Sequence, residues 1–117
     1  MSNPITADTL LSAMAGHIGE QNAIHSDQLA VELTGSVVGL AHKQRQLRYV
    51  IVELRRAGRH ICGHPGRGYY LASSTAELKR TCTYLYRRNI TGFEQIAAMM
   101  NVALPDLAGQ LRLDDAL

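Results

Sequence analysis

The stretch HICGHPGRGYYLA, residues 60–72, decides how this chain is read. Ile61-Cys62 and Tyr69-Tyr70-Leu71 are strand-favouring runs. The GHPGRG between them is turn chemistry throughout, because Pro presets its own φ and Gly admits backbone shapes that other residues resist. The segment therefore predicts a β-hairpin with His64 and Arg67 at its tip. A metal or phosphate site is the competing reading. His60, Cys62 and His64 alternate, so in a strand they share one face, and imidazole plus thiolate is a zinc-like set. A fourth ligand would have to come from His25 or Cys82, whereas a hairpin already accounts for the segment. No metal and no other cofactor is expected. Gly63, Gly66 and Gly68 are not followed by Gly-Lys-Ser/Thr, and no helix starts there, so a phosphate-cradling loop is not expected either.

Immediately before the hairpin lies HKQRQLRYVIVELRRAGR, residues 42–59. The formal net charge of the chain is only +2, but its distribution is uneven. Between His42 and Gly68, Lys43, Arg45, Arg48, Arg55, Arg56, Arg59 and Arg67 face the single acid Glu53, a local charge of +6. The remainder carries −4. Such asymmetry is the electrostatic footprint of a nucleic-acid contact, with a solvated helix face as the bland alternative.

Working outward, Thr6 is placed to cap a first helix running to about Ile18, with Leu10, Leu11, Met14 and Ile18 on one stripe and Gly19 closing it. Ala23-Ile24-His25 suits a short strand, and Ser26 suits the cap of a second helix that buries Leu29, Ala30 and Leu33. After the permissive segment GSVVG, a third helix is expected from about Leu40–Lys43 to Gly58. At 3.6 residues per turn, Leu47, Val50, Ile51 and Leu54 share its inner side. Arg45, Tyr49, Val52 and Arg56 point the opposite way, with His42, Arg48 and Arg55 on the flanks. Guanidinium groups so displayed suit bidentate bonds to guanine edges or phosphates. A helix-turn-helix followed at once by a two-stranded hairpin is the order of a winged helix.

SDQLAVEL, RQLRYVIVELRRAG and PGRGYYL together resemble the winged helix-turn-helix DNA-binding domain of biotin-repressor type, in which a helix ending Leu-Arg-x-x-Gly leads to a Pro-Gly-Lys-Gly-Tyr-x-Leu wing. The similarity covers roughly residues 6–72, and the small size also resembles winged-helix proteins of bacteriophages and prophages. The resemblance implies an α+β fold: helix, strand, two helices and a two-stranded wing. It also implies contacts to double-stranded DNA from the third helix through Lys43, Gln44, Arg45, Gln46, Arg48, Tyr49 and Arg56, and from the wing through His64, Arg67 and Tyr69. One departure stands out, since the link from Thr34 to His42 is longer than the family's tight turn. No ligase domain follows, so biotin chemistry is not implied.

Beyond residue 72 the chain changes character, and a helical extension with a tail is expected over 73–117. Ser74 with Glu77 and Thr91 with Glu94 fit the S/T-x-x-E capping box, predicting helices over 75–89 and 92–102. Two amphipathic helices this short need a surface, either the rest of the domain or the same helices of a second subunit, which would make a homodimer. In the tail, Gln110, Leu111 and Leu113 resemble the Gln-Leu-x-Leu core of peptides that bind the bacterial sliding clamp, although Asp114 stands where an aromatic is usual.

Length and composition bound these readings. A chain of 117 residues is about one domain's worth of polypeptide. Its two cysteines make no secreted disulfide framework, no charged-then-apolar leader opens it, and no apolar run nears the roughly 18 residues of a membrane span. A reduced, cytoplasmic setting away from membranes is expected. No motif brings a nucleophile to an oriented base, so catalysis is not expected. Three functions remain: a sequence-specific DNA-binding regulator of transcription, a replication accessory contacting DNA and a sliding clamp, and a winged helix turned to protein contacts.

Overall fold

Three helices and a hairpin build the first part of the chain, each begun or ended by an identifiable residue. The structure, a computed structural model, describes residues 2–111 of the 117. Thr6 caps α1 (Ala7–Met14) reciprocally with Thr9, each side chain bonding the other's backbone N–H. The helix stops four residues short of the expected Ile18, and Gly19 (φ 89°) followed by a 3-10 turn over Glu20–Asn22 redirects the chain. His25, not Ser26, is the residue before α2 (Ser26–Thr34). The Ser26 Oγ accepts instead from Gln44 Nε2 at 3.1 Å, so its hydroxyl links two helices rather than capping one. Gly35 ends α2 in the left-handed conformation, and α3 runs Leu40–Arg56 with Gly58 (φ 91°) just beyond its end.

Leu10 and Met14 of α1, Leu29, Ala30 and Leu33 of α2, and Leu47, Ile51 and Leu54 of α3 form one buried cluster with Ile24 and Ile61. Val50, at the margin of the α3 stripe, is half-buried. Removing a side chain such as Ile51 from such a core costs about 2–5 kcal/mol.

The sheet has two antiparallel strands, β1 (Ile61–His64) and β2 (Gly68–Leu71), with Ile61 opposite Leu71 and His64 opposite Gly68. The strand expected at Ala23–His25 is only a single bridge: Ile24 exchanges both backbone hydrogen bonds with Tyr69, at 2.8 and 2.9 Å. A second bridge joins Ile18 to Leu71. The 3-10 turn lies between the two bridges and prevents a continuous strand, yet they still satisfy the outer edge of β2. Both faces of the hairpin are covered. Ile61 enters the helical cluster, while Cys62 and Tyr70 are buried on the other side, where Tyr70 bonds Thr81 and Cys62 Sγ lies 3.8 Å from the Glu77 carbonyl.

After Ser74, a single helix, α4, spans Thr75–Met100, replacing the two helices expected over 75–89 and 92–102. The Ser74 Oγ accepts from the Glu77 N–H as expected. Thr91 caps nothing. Its hydroxyl and the Asn89 side-chain amide bond back to the carbonyls of Arg87 and Leu85, both at 2.8 Å, which satisfies these polar groups within an uninterrupted helix. α4 ends where Asn101 turns left-handed (φ 57°) and the Val102 N–H reaches the Ala97 carbonyl, a Schellman arrangement. A 3-10 turn over Leu104–Asp106 and the short α5 (Leu107–Gln110) follow, with Ala97 and Leu107 buried. The chain divides into two compact units, Met1–Thr81 and Cys82–Leu117. The architecture is α+β, with a layout compatible with a winged helix. Among the described residues no helix is long and apolar enough to cross a membrane.

Candidate nucleic-acid interface

With Leu47, Ile51 and Leu54 turned into the core, the helical period leaves Arg45, Gln46, Arg48, Tyr49, Val52 and Arg56 on the exposed side of α3. Tyr49 is 71 % exposed, unusual for so large a ring. Arg45 and Arg48 make no ion pair or side-chain hydrogen bond with any described residue, and the same holds for Arg59 and Arg67. Arg56 is less free, since its guanidinium is 3.7 Å from Glu53 one turn back.

Three polar residues of α3 serve the protein itself. Lys43 is buried, and its Nζ donates to the Ser36 carbonyl at 3.3 Å, so it does not join the exposed cationic face expected of it. Gln44 is half-buried and donates to Ser26. Arg55 donates from Nε to the Ile61 carbonyl at 2.7 Å, tying α3 to the first strand of the hairpin.

The hairpin tip is the three-residue loop Pro65-Gly66-Arg67, closed by the Arg67 N–H on the His64 carbonyl at 3.1 Å. Gly68, the first residue of β2, follows at φ 103°, a conformation that L side chains rarely adopt. Arg67 is exposed at this tip. His64 is exposed too, but it is engaged: its Nδ1 accepts from the Gly66 N–H at 3.0 Å, which puts the proton of the neutral ring on Nε2, 3.9 Å from Glu20 Oε1. Tyr69 is half-buried and rests against the hydrophobic cluster rather than standing clear of the hairpin. The outward-facing set thus narrows from ten expected residues to Arg45, Gln46, Arg48, Tyr49 and Arg56 on α3, with His64 and Arg67 on the hairpin.

The acids nearest the hairpin are themselves engaged. Glu77 accepts from the Glu20 N–H at 3.0 Å and from the N–H and hydroxyl of Ser73 at 2.7 and 2.8 Å, and these donors hold its carboxyl below the usual range. Burial pushes the Tyr70 phenol up, with the Thr81 bond opposing it. His60 and His64 are exposed while Cys62 is buried. Among the described residues no group of three or more His, Cys, Asp or Glu side chains gathers to hold a metal ion.

Sequence reasoning marked the link between α2 and α3 as long but passed over its valines. The link comprises Gly35–Gly39, bounded by two left-handed glycines at φ 73° and 65°, and between them Val37 and Val38 are 70 % and 75 % exposed. The available signal was an apolar pair between two glycines in a run that carries no acid from Leu33 to Val52. In the tail, Gln110 ends α5 and is exposed, Leu111 follows it at 40 % exposure, and Leu113 lies outside the described residues. Comparison of the chain with protein-family models, with curated proteins and with solved structures finds no match in any of the three.

Proposed function

We propose that this chain is a winged-helix protein that binds double-stranded DNA sequence-specifically, with α3 as the helix that enters the major groove and the β1–β2 hairpin as a wing along the backbone, and that it serves as a transcriptional regulator. One observation carries the reading: the exposed side of α3 presents Arg45 opposite the core and Arg48 on the flank, both without an internal partner among the described residues, beside an exposed Tyr49. Exposed guanidinium groups clear of carboxylates are available for bidentate bonds to guanine edges and phosphates. Arg67 at the hairpin tip suits a phosphate contact, which positions a protein without reading sequence.

Selection of bound duplexes from a random DNA pool tests the proposal. An enriched motif is expected, and a two-fold symmetric motif would report a paired protein. Recovery of no motif and no retained DNA would favour a winged helix devoted to protein contacts.

A further inference from the structure

We infer that Val37 and Val38 form an apolar probe that packs against thymine methyl groups in the major groove, adding sequence preference beyond that of the arginines; the inference rests on the DNA-binding reading. Hydrogen bonds at Ser36 anchor the link to the helices on either side, with the Thr34 hydroxyl proton shared between the Ser36 and Ala30 carbonyls. The Ser36 carbonyl accepts from Thr34 Oγ1 at 3.2 Å and from Lys43 Nζ at 3.3 Å, Ser36 Oγ accepts from the Val38 N–H at 3.1 Å, and Thr34 Oγ1 also reaches the Ala30 carbonyl at 2.8 Å. Lys43 and Thr34 are both buried, so the anchoring side of the link is inside the protein and the valine side is outside. Two adjacent valines at 70 % and 75 % exposure on an anchored turn are displayed by the backbone that holds them, not by fraying.

Their position selects the ligand. Gly39 directly precedes α3, so the valines stand at the end of the helix whose N-terminal residues reach base edges in helix-turn-helix docking. No acid lies between Glu32 and Glu53, so nothing in this run repels phosphate. The thymine 5-methyl group is the apolar feature of the major groove, and apolar side chains read it by contact.

The test uses the full chain and the duplex selected from the random pool, with thymine replaced by deoxyuridine one position at a time, a change that deletes only the methyl group. The parent protein should lose about fourfold in affinity for each methyl it covers. The Val37→Ala/Val38→Ala protein, checked for an unchanged melting temperature, should bind the thymine duplex more weakly and show no further loss with deoxyuridine. A parent indifferent to deoxyuridine, a selected site without thymine, or an equal deoxyuridine loss in parent and variant overturns the inference while leaving DNA binding intact. Absence of any DNA binding overturns both.

Discussion

Gly68 lies so close to Ile24 that a methyl group on its Cα would overlap the Ile24 carbonyl oxygen. That approach is part of the two-bond bridge by which the hairpin leans on the segment between α1 and α2, and Gly68 also holds φ at 103°. Steric overlap and backbone conformation therefore both exclude a side chain here. Gly68→Ala should destabilise the first unit by about 3 kcal/mol or more, read as a lowered urea midpoint. Gly66→Ala, two residues away with only ordinary spacing to the His64 ring and no positive φ, should stay within about 0.5 kcal/mol of the parent. Similar losses at both positions would show that the approach to Ile24 is not what constrains residue 68.

Glu77 ties stability to pH. Donors from Glu20 and Ser73 favour its ionised form in the folded protein, so its folded pKa lies below the ordinary 4.5. The group's contribution is complete above 4.5 and is lost as pH falls through the lowered folded value. Glu77→Gln should be less stable than the parent at pH 7, and the gap should narrow as pH drops below about 4.5 in denaturant titrations. Parallel pH profiles would remove Glu77 from the acid response.

Lys43 and Arg48 sit within six residues on the same helix but should behave differently. Arg48→Ala should cost about 1–3 kcal/mol of DNA affinity. Lys43→Met, which removes the bond to Ser36 but no outward charge, should leave the salt slope of binding at the parent value and lower the melting temperature. A slope reduced by about one unit in Lys43→Met would return Lys43 to the phosphate-contacting set.

Gly92 reports on the continuity of α4. It lies mid-helix without a positive φ, and a methyl group on its Cα would meet no atom within 4 Å. Gly92→Ala should therefore raise helix content by circular dichroism and stabilise the second unit by up to about 1 kcal/mol. A loss of helicity would indicate that the chain breaks between Asn89 and Gly92.

These residues also show where sequence reading works and where it stops. The α3 stripe is readable because Leu47, Ile51 and Leu54 recur at the helical period, and the hairpin because GHPGRG can do little but turn. Thr91 misleads because Thr-x-x-Glu describes a capping threonine and equally one whose hydroxyl bonds four residues back. Lys43 misleads for a tertiary reason: nothing local announces that Ser36 will offer it a carbonyl. The Ile24 bridge depends on Glu20–Asn22 folding into a tight turn that no strong local signal marks.

The most direct measurement is the affinity of the full chain for a selected duplex as a function of salt, for the parent and for Arg45→Ala, Arg48→Ala and Arg67→Ala. A linear fall of log K with log salt is expected, and Arg67→Ala should reduce its slope by about 0.9, the share of a single phosphate. Arg45→Ala and Arg48→Ala should each cost about 1–3 kcal/mol and relax preference at a base position. Binding that ignores salt, or three variants that bind like the parent, would contradict the assignment of α3 and the hairpin to DNA.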